Sequence, residues 1–320
     1  MHLLIPFAAP LPDTGHPARP AGSAGLPALP ALPELPNLQR LFGRLAEAER
    51  DEADVQSPSP PHERALARAW GWRGAAGCLP FAARAAQADG IDTGELAWGL
   101  LTPAHWHLGT DQVSLVDPDS LALDEAASRA LLDAVRPLFE GEGWALHYGA
   151  PLRWYAAHDS LAGLATASLD RVIGRNVDAW LGTDPAARRI RRLQSEVQML
   201  LYTQALNDDR QAQGLPSINS FWLSGCGRAQ PAAGPSPEVD DRLRGPALAG
   251  DPPAWAQAWQ ALDAGPLATL DEAAARGRPV QLTLCGERAW ARYATAAGGP
   301  LRRLRQRWSA PRAAAVLAAL

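Results

Sequence analysis

Short apolar runs alternate with stretches of helical period along most of this chain, and strands separated by helices imply an α/β sheet. Leu3 to Phe7 has the length of a buried strand, and Val280 to Leu284, between Pro279 and Cys285-Gly286, is a second. Asn37 stands at an N-cap position before Leu38, Leu41, Phe42 and Leu45 at helical spacing, so a helix is expected to run to about Ala48. Glu49 to Pro61 then reads as a surface loop and Glu63 to Trp70 as a helix. Val113, Leu115 and Val116 suggest a short strand, Leu123 to Phe139 a helix with Asp124 and Glu125 in its first turn, and Trp144 to Tyr148 with Leu152 to Tyr155 a hairpin. These make a small α+β lobe. Ile190 to Leu206 is expected as a helix facing inward through Leu193, Val197, Leu200 and Leu201, followed by a strand from Ser217 to Leu223 that ends in Gly225-Cys226-Gly227. Trp255 to Leu262 reads as a further helix, while Gln230 to Pro253 is a Pro/Gly-rich loop.

Two segments fall outside this alternation. Repeated Leu-Pro steps between Pro10 and Pro36 disfavour helix and predict a loop or extended arm. Leu301 to Trp308 is arginine-rich, and with Arg312 to Leu320 it is expected to form closing helices. At roughly 150 residues per domain, 320 residues allow one large domain or two modest ones. The division expected is a first part of an α/β core at 1–104, with the Pro-rich loop 10–36, an inserted α+β lobe at 105–164, and the rest of the core at 165–320.

Composition removes several classes. A net charge of -4 lacks the basic footprint of a protein whose main partner is nucleic acid. All 30 basic residues are arginine, so there is no lysine for a Schiff base, a P-loop or a protein-kinase phosphate contact. Cys78, Cys226 and Cys285 are odd in number and without CxxC spacing, which fits a reducing cytoplasm better than a disulfide framework. No signal peptide and no membrane span are expected, because Met1 to Phe7 lacks a basic start and no apolar run approaches about 20 residues.

Three clusters can carry chemistry. His105 and His107 lie on one face if their segment is extended, with Asp111 close behind; the pair can join a metal or acid/base constellation, or simply bond to backbone. Arg171 and Arg175 share one face if helical and could grip a phosphate or carboxylate beside Asn176, or pair with neighbouring carboxylates. Asn219 and Ser220 open a strand whose Gly-x-Gly end would present backbone N–H groups at a sheet edge.

The stretch from about Gly109 to Gly227 resembles the archaeal-type, cofactor-independent phosphoglycerate mutases of the alkaline phosphatase superfamily. The likeness rests on Leu200-Leu201, Asn207, Arg210, Gly214 and Asn219-Ser220-Phe221-Trp222-Leu223-Ser224-Gly225-Cys226-Gly227, with Pro36-Asn37-Leu38 and Arg40-Leu41 matching a helix start. Asn176 to Trp180 and Gln194 to Tyr202 are similar to a proteobacterial group known as RpfE-type regulatory proteins. The resemblance implies an alkaline-phosphatase-like core sheet flanked by helices with an inserted lobe. Enzymes of that superfamily hold two divalent metals, using an aspartate at the end of the first strand and histidines in the C-terminal part. Here the first strand ends Ile5-Pro6-Phe7-Ala8-Ala9, no histidine follows His158, and the late strand leads into Cys285-Gly286-Glu287. The expectation is therefore a catalytically degenerate, cytoplasmic protein without a cofactor. It binds a phosphorylated metabolite or a protein partner through a cleft lined by His105, His107, Asp111, Arg171, Arg175, Asn176, Asn219 and Ser220. One alternative is a phosphomutase or phosphatase with a relocated manganese or zinc site at His105, His107, Asp111 and Glu196. Another is a scaffold that engages a protein through the Pro-rich or arginine-rich segment.

Overall fold

The computed structural model describes residues 1–9, 33–183, 185–295 and 310–320. Most of the expected Pro-rich arm and all of Leu301 to Trp308 lie outside the described residues. The strands are β1 (His2–Ile5), β2 (Leu45–Glu52), β3 (Ala97–Ala104), β4 (Trp106–Leu108), β5 (Val113–Leu115), β6 (Ala145–Ala150), β7 (Arg153–Ala157), β8 (Ser220–Arg228), β9 (Glu238–Val239), β10 (Gln281–Cys285) and β11 (Ala289–Thr295). They form sheets in the orders β2-β11-β10-β1-β9 and β6-β7-β3-β8, with β4 and β5 as a separate ribbon. The first sheet is mixed and flanked by helices, an α/β arrangement as expected. The chain divides into one unit of 1–56, 60–71 and 233–320 and another of 57–59 and 72–232. Strand β3 pairs with both β7 and β8, which ties residues before and after the expected lobe into its sheet.

In the first unit, β1 runs parallel to β10 with Leu3 opposite Leu282 and Leu4 opposite Thr283. Leu4, Cys285 and Trp290 pack under Ala65 and Leu66 of the helix α2 (Pro61–Trp70), the near-continuous apolar reading typical of a covered parallel pair. Helix α1 (Pro36–Phe42) stops well short of Ala48, and residues from Leu45 onward are strand. Ala, Glu and Arg favour helix in isolation, but β2 pairs antiparallel with β11 over its length, and pairing overrides propensity. Its carboxylates meet guanidinium groups: Glu49 with Arg68 at 2.6 Å, Asp51 with Arg64 at 2.7 Å, and Glu52 with Arg288 at 2.7 Å. The start of α1 is capped from elsewhere. The buried Asp263 carboxylate accepts from the Asn37 and Leu38 backbone N–H groups at 3.1 and 2.8 Å, supplying two orphan donors of the first turn.

His2 of β1 faces the Thr283 hydroxyl at 2.8 Å, and burial, with Arg292 nearby, lowers its pKa from 6.5 to about 4. The folded chain thus keeps this imidazole neutral, whereas the unfolded chain protonates it below its ordinary 6.5. Its contribution to stability is flat above that value and is lost as pH falls from 6.5 toward 4. In urea unfolding the stability of the protein relative to His2→Gln should therefore fall from pH 7 to pH 4; a difference that does not change with pH would refute this.

In the second unit, the predicted hairpin is β6 and β7, with Tyr148 opposite Trp154. Helices α4 (Glu125–Glu140) and α6 (Pro185–Tyr202) contribute to an apolar cluster through Leu131, Leu132, Val135, Ile190, Leu193 and Val197, against Phe221 and Leu223 of β8. A second cluster joins Ala82, Ala83 and Ala86 of the helix α3 (Phe81–Ala88) to Trp98 and Tyr155. Gly225-Cys226-Gly227 lies within strand β8, which runs on to Arg228 with Gly227 opposite Trp98 of β3, and this corrects the expectation of bare N–H groups at a sheet edge. Gly225 has φ +63°, and a Cβ there would stand 2.9 Å from the Ala82 nitrogen, so the glycine lets α3 lie directly on the strand.

Candidate functional site

The ribbon of β4 and β5 gathers most of the expected site residues. His107 is opposite Ser114, and Ser114 bridges in turn to Asn176, so these three occupy neighbouring register positions. Gly174 donates its N–H to Leu115 O at 2.8 Å. That contact explains why Arg171 and Arg175 do not share a helical face. Helix α5 covers only Leu169–Val172, and the chain leaves it at Ile173 to pair with β5. Arg171 is buried at 2% exposure and Arg175 is half-buried beyond the helix.

Asn219 acts as a strand partner for β4. Its Oδ1 accepts from Trp106 N at 2.8 Å and its Nδ2 donates to Trp106 O at 3.0 Å. His105 Nδ1 lies 2.8 Å from Ser217 O; a carbonyl only accepts, so Nδ1 donates in this bond. The rings of His105 and His107 stand 6.3 Å apart, and His107 and Asp111 are exposed. Ser220 is buried in β8 beside Gln198 and does not belong to this surface. Glu196 sits on α6 in an exposed pair with Arg192 at 3.3 Å. Among the described residues, no three His, Cys, Asp or Glu side chains form a group able to hold a metal ion, so His105, His107, Asp111 and Glu196 are not such a set. What the ribbon offers is two imidazoles, one of them exposed, and polar backbone, a surface for hydrogen bonding.

The end of β1 is differently built. Phe7, Ala8 and Ala9 are all buried, and Phe7 is held in the left-handed region at φ 54°. Its carbonyl accepts from the Trp255 indole at 3.1 Å, and the Ala8 carbonyl from the Trp259 indole at 3.2 Å, both from the helix α9 (Pro252–Leu262). Ala8 N donates to Cys285 O at 2.7 Å. The fixed Phe7 conformation costs on the order of 1–2 kcal/mol in an L-residue, which the two buried indole bonds and apolar packing offset. A pair of divalent cations does not fit these residues: the strand end supplies aromatic and methyl groups, and its carbonyls are already bonded.

The residues that resemble the mutase motif have structural work instead. Asn207, on the helix α7 (Ala205–Ala212), donates to Leu201 O and Ile218 O at 2.9 Å each and accepts from Ile218 N at 2.8 Å. Arg210 donates to Pro216 O at 2.9 Å and to Leu121 O. The Trp222 indole donates to Ala167 O at 2.9 Å. Cys226, whose thiol burial pushes up to about 12, is a packed core residue rather than a nucleophile.

No family model matches the chain. No curated protein matches it either. Among solved structures it is similar to the cofactor-independent phosphoglycerate mutase from Thermoplasma acidophilum DSM 1728, at 15% identity and a TM-score of 0.38, over 100% of this chain and 98% of that one. It is also similar to the PH0037 protein from Pyrococcus horikoshii, at 11% identity and a TM-score of 0.46, over 96% of this chain and 92% of that one. No helix among the described residues is long and apolar enough to cross a membrane.

Proposed function

We propose that this chain is a catalytically degenerate, phosphoglycerate-mutase-like protein that acts by binding a metabolite or a protein partner, in the regulatory manner of the RpfE-type group it resembles. The observation that supports this reading is the end of β1. The position where mutases of this kind carry a metal-binding aspartate is here Phe7-Ala8-Ala9, buried and held through its carbonyls by Trp255 and Trp259. Such an end can neither ligate a cation nor orient a nucleophile. The ribbon of β4 and β5, with His105, His107 and Asn176, is the polar surface that takes over contact with a phosphorylated metabolite.

Interconversion of 3- and 2-phosphoglycerate should be absent with magnesium, manganese or zinc added. 3-Phosphoglycerate should raise the melting temperature without metal, and His107→Ala should abolish that rise, because a ligand of the native state stabilises it in proportion to its occupancy. Metal-dependent turnover would overturn the reading in favour of the relocated-metal enzyme.

A further inference from the structure

Residues 310–320 are held on the first unit through their main chain and three apolar side chains. Their short helix, Ala313–Ala318, is far below the length of about 12–15 residues at which a helix begins to stand alone in water, so docking is what orders it. The Gln39 amide of α1 grips both sides of the peptide chain: its Nε2 donates to Pro311 O at 3.0 Å and its Oε1 accepts from Ala313 N at 2.9 Å. At the other end Arg50 Nη1 of β2 donates to Ala319 O at 3.1 Å, and the backbone N–H groups of Arg288 and Ala289, where β11 begins, donate to Leu320 O at 3.1 and 2.8 Å. Gly286 permits this approach, because a Cβ there would stand 2.6 Å from the Leu320 carbonyl carbon. Val316, Leu317 and Leu320 are buried, whereas Ala314, Ala315, Ala318 and Ala319 are exposed. None of these contacts uses a polar side chain of the segment itself.

We propose that this seat is a docking site for a short helical segment of a partner protein, and that residues 310–320 occupy it in the free chain. The seat reads main-chain groups at its two ends and three apolar side chains between them. A foreign segment with apolar residues at the positions of Val316, Leu317 and Leu320 meets the same donors, the same acceptor and the same apolar floor, which is recognition of a helix in a groove. Residues 296–309 tether the resident segment to β11, and a tether of that length gives an effective concentration on the order of 1 mM. A partner enters only by exceeding that local competition, so the resident segment sets the affinity that a true partner must reach. The seat lies wholly within the first unit and does not depend on the reading of the β4–β5 ribbon.

A fluorescein-labelled, amidated peptide of residues 310–320, titrated against the full chain and followed by fluorescence anisotropy, tests the proposal. Leu317→Asp in the full chain weakens the resident segment and leaves its seat unaltered. The peptide should bind that variant saturably with a Kd on the order of 100 μM, and the parent at least about tenfold more weakly. A peptide carrying the same Leu317→Asp change should not bind. Gln39→Ala, added to Leu317→Asp, should weaken the unaltered peptide by about tenfold, because two hydrogen bonds to its main chain are lost. Should circular dichroism show that Leu317→Asp does not fold, a protease site inserted between Gly298 and Gly299 takes its place: after cleavage, excess labelled peptide should displace the released segment. No saturable binding up about to 1 mM, equal affinity for the parent and Leu317→Asp, or undiminished binding with Gln39→Ala overturns the proposal.

Discussion

Asn207→Ala is expected to destabilise the second unit by about 4 kcal/mol, lowering its melting temperature by about 10 °C. The side chain is buried and makes three hydrogen bonds, at 2.9, 2.9 and 2.8 Å, to the backbone of Leu201 and Ile218. Alanine takes these partners from the Ile218 N–H and carbonyl and leaves Leu201 O with only its bond from Gln204 N at 3.2 Å, each loss costing about 1–3 kcal/mol. Asn207→Asp retains the acceptor for Ile218 N but cannot donate to the carbonyls, so it should be at least as damaging near neutral pH. Chemical denaturation of the two variants checks this. A loss below about 1 kcal/mol for alanine would mean that Asn207 does not hold the entry to β8 and that its motif has some other purpose.

Gly225→Val should cost a similar amount, for another reason. An L-residue at φ +63° is strained by about 1–2 kcal/mol, and its Cβ would stand 2.9 Å from the Ala82 nitrogen and 3.1 Å from Phe81 Cβ. Backbone cannot swing aside as a flexible side chain can, so α3 must lift off β8 and open the cluster around Ala82, Ala86 and Trp98. Gly214→Ala is the matched control. Gly214 also has positive φ, +73°, yet nothing lies within 4 Å of its added Cβ, so only the strain of about 1 kcal/mol remains. Melting curves that place the two substitutions together would show that the approach of α3 is not what the glycine serves.

These positions also show what was legible in the sequence. The motif at Asn207, Arg210 and Asn219 to Gly227 stands out as a pattern, but its spacing does not say whether it holds a ligand or a backbone. Only the hydrogen bonds do, and they run to carbonyls and amides of the same chain. The hairpin of β6 and β7 and the helices α2, α4 and α9 follow local rules of period and turn, and were readable. Strand β2 was not, because its helix-favouring residues become a strand only opposite β11. Strand β3 was hidden by Gly99 and Pro103; Pro103 sits where β3 has only β8 beside it in the register, so its missing N–H breaks no central ladder. For the site, His105, His107, Asn176 and Asn219 do converge on one ribbon, whereas pairing Arg171 with Arg175 assumed a helix that ends at Val172.

The acidic face of β2 has a bearing on how the molecule behaves in company. A strand at the border of a sheet, as β2 is among the described residues, is a template on which another chain can add. A newcomer alongside β2 would have to strip water from Glu47, Glu49, Asp51 and Glu52 and compete with arginines already bound to them. The Arg50 guanidinium holds the Glu47 carboxyl below its usual range, so part of this charge outlasts ordinary glutamates as a solution is acidified. The border thus presents paired charge rather than a bare row of backbone groups, which makes it a poor template for fibre-like stacking.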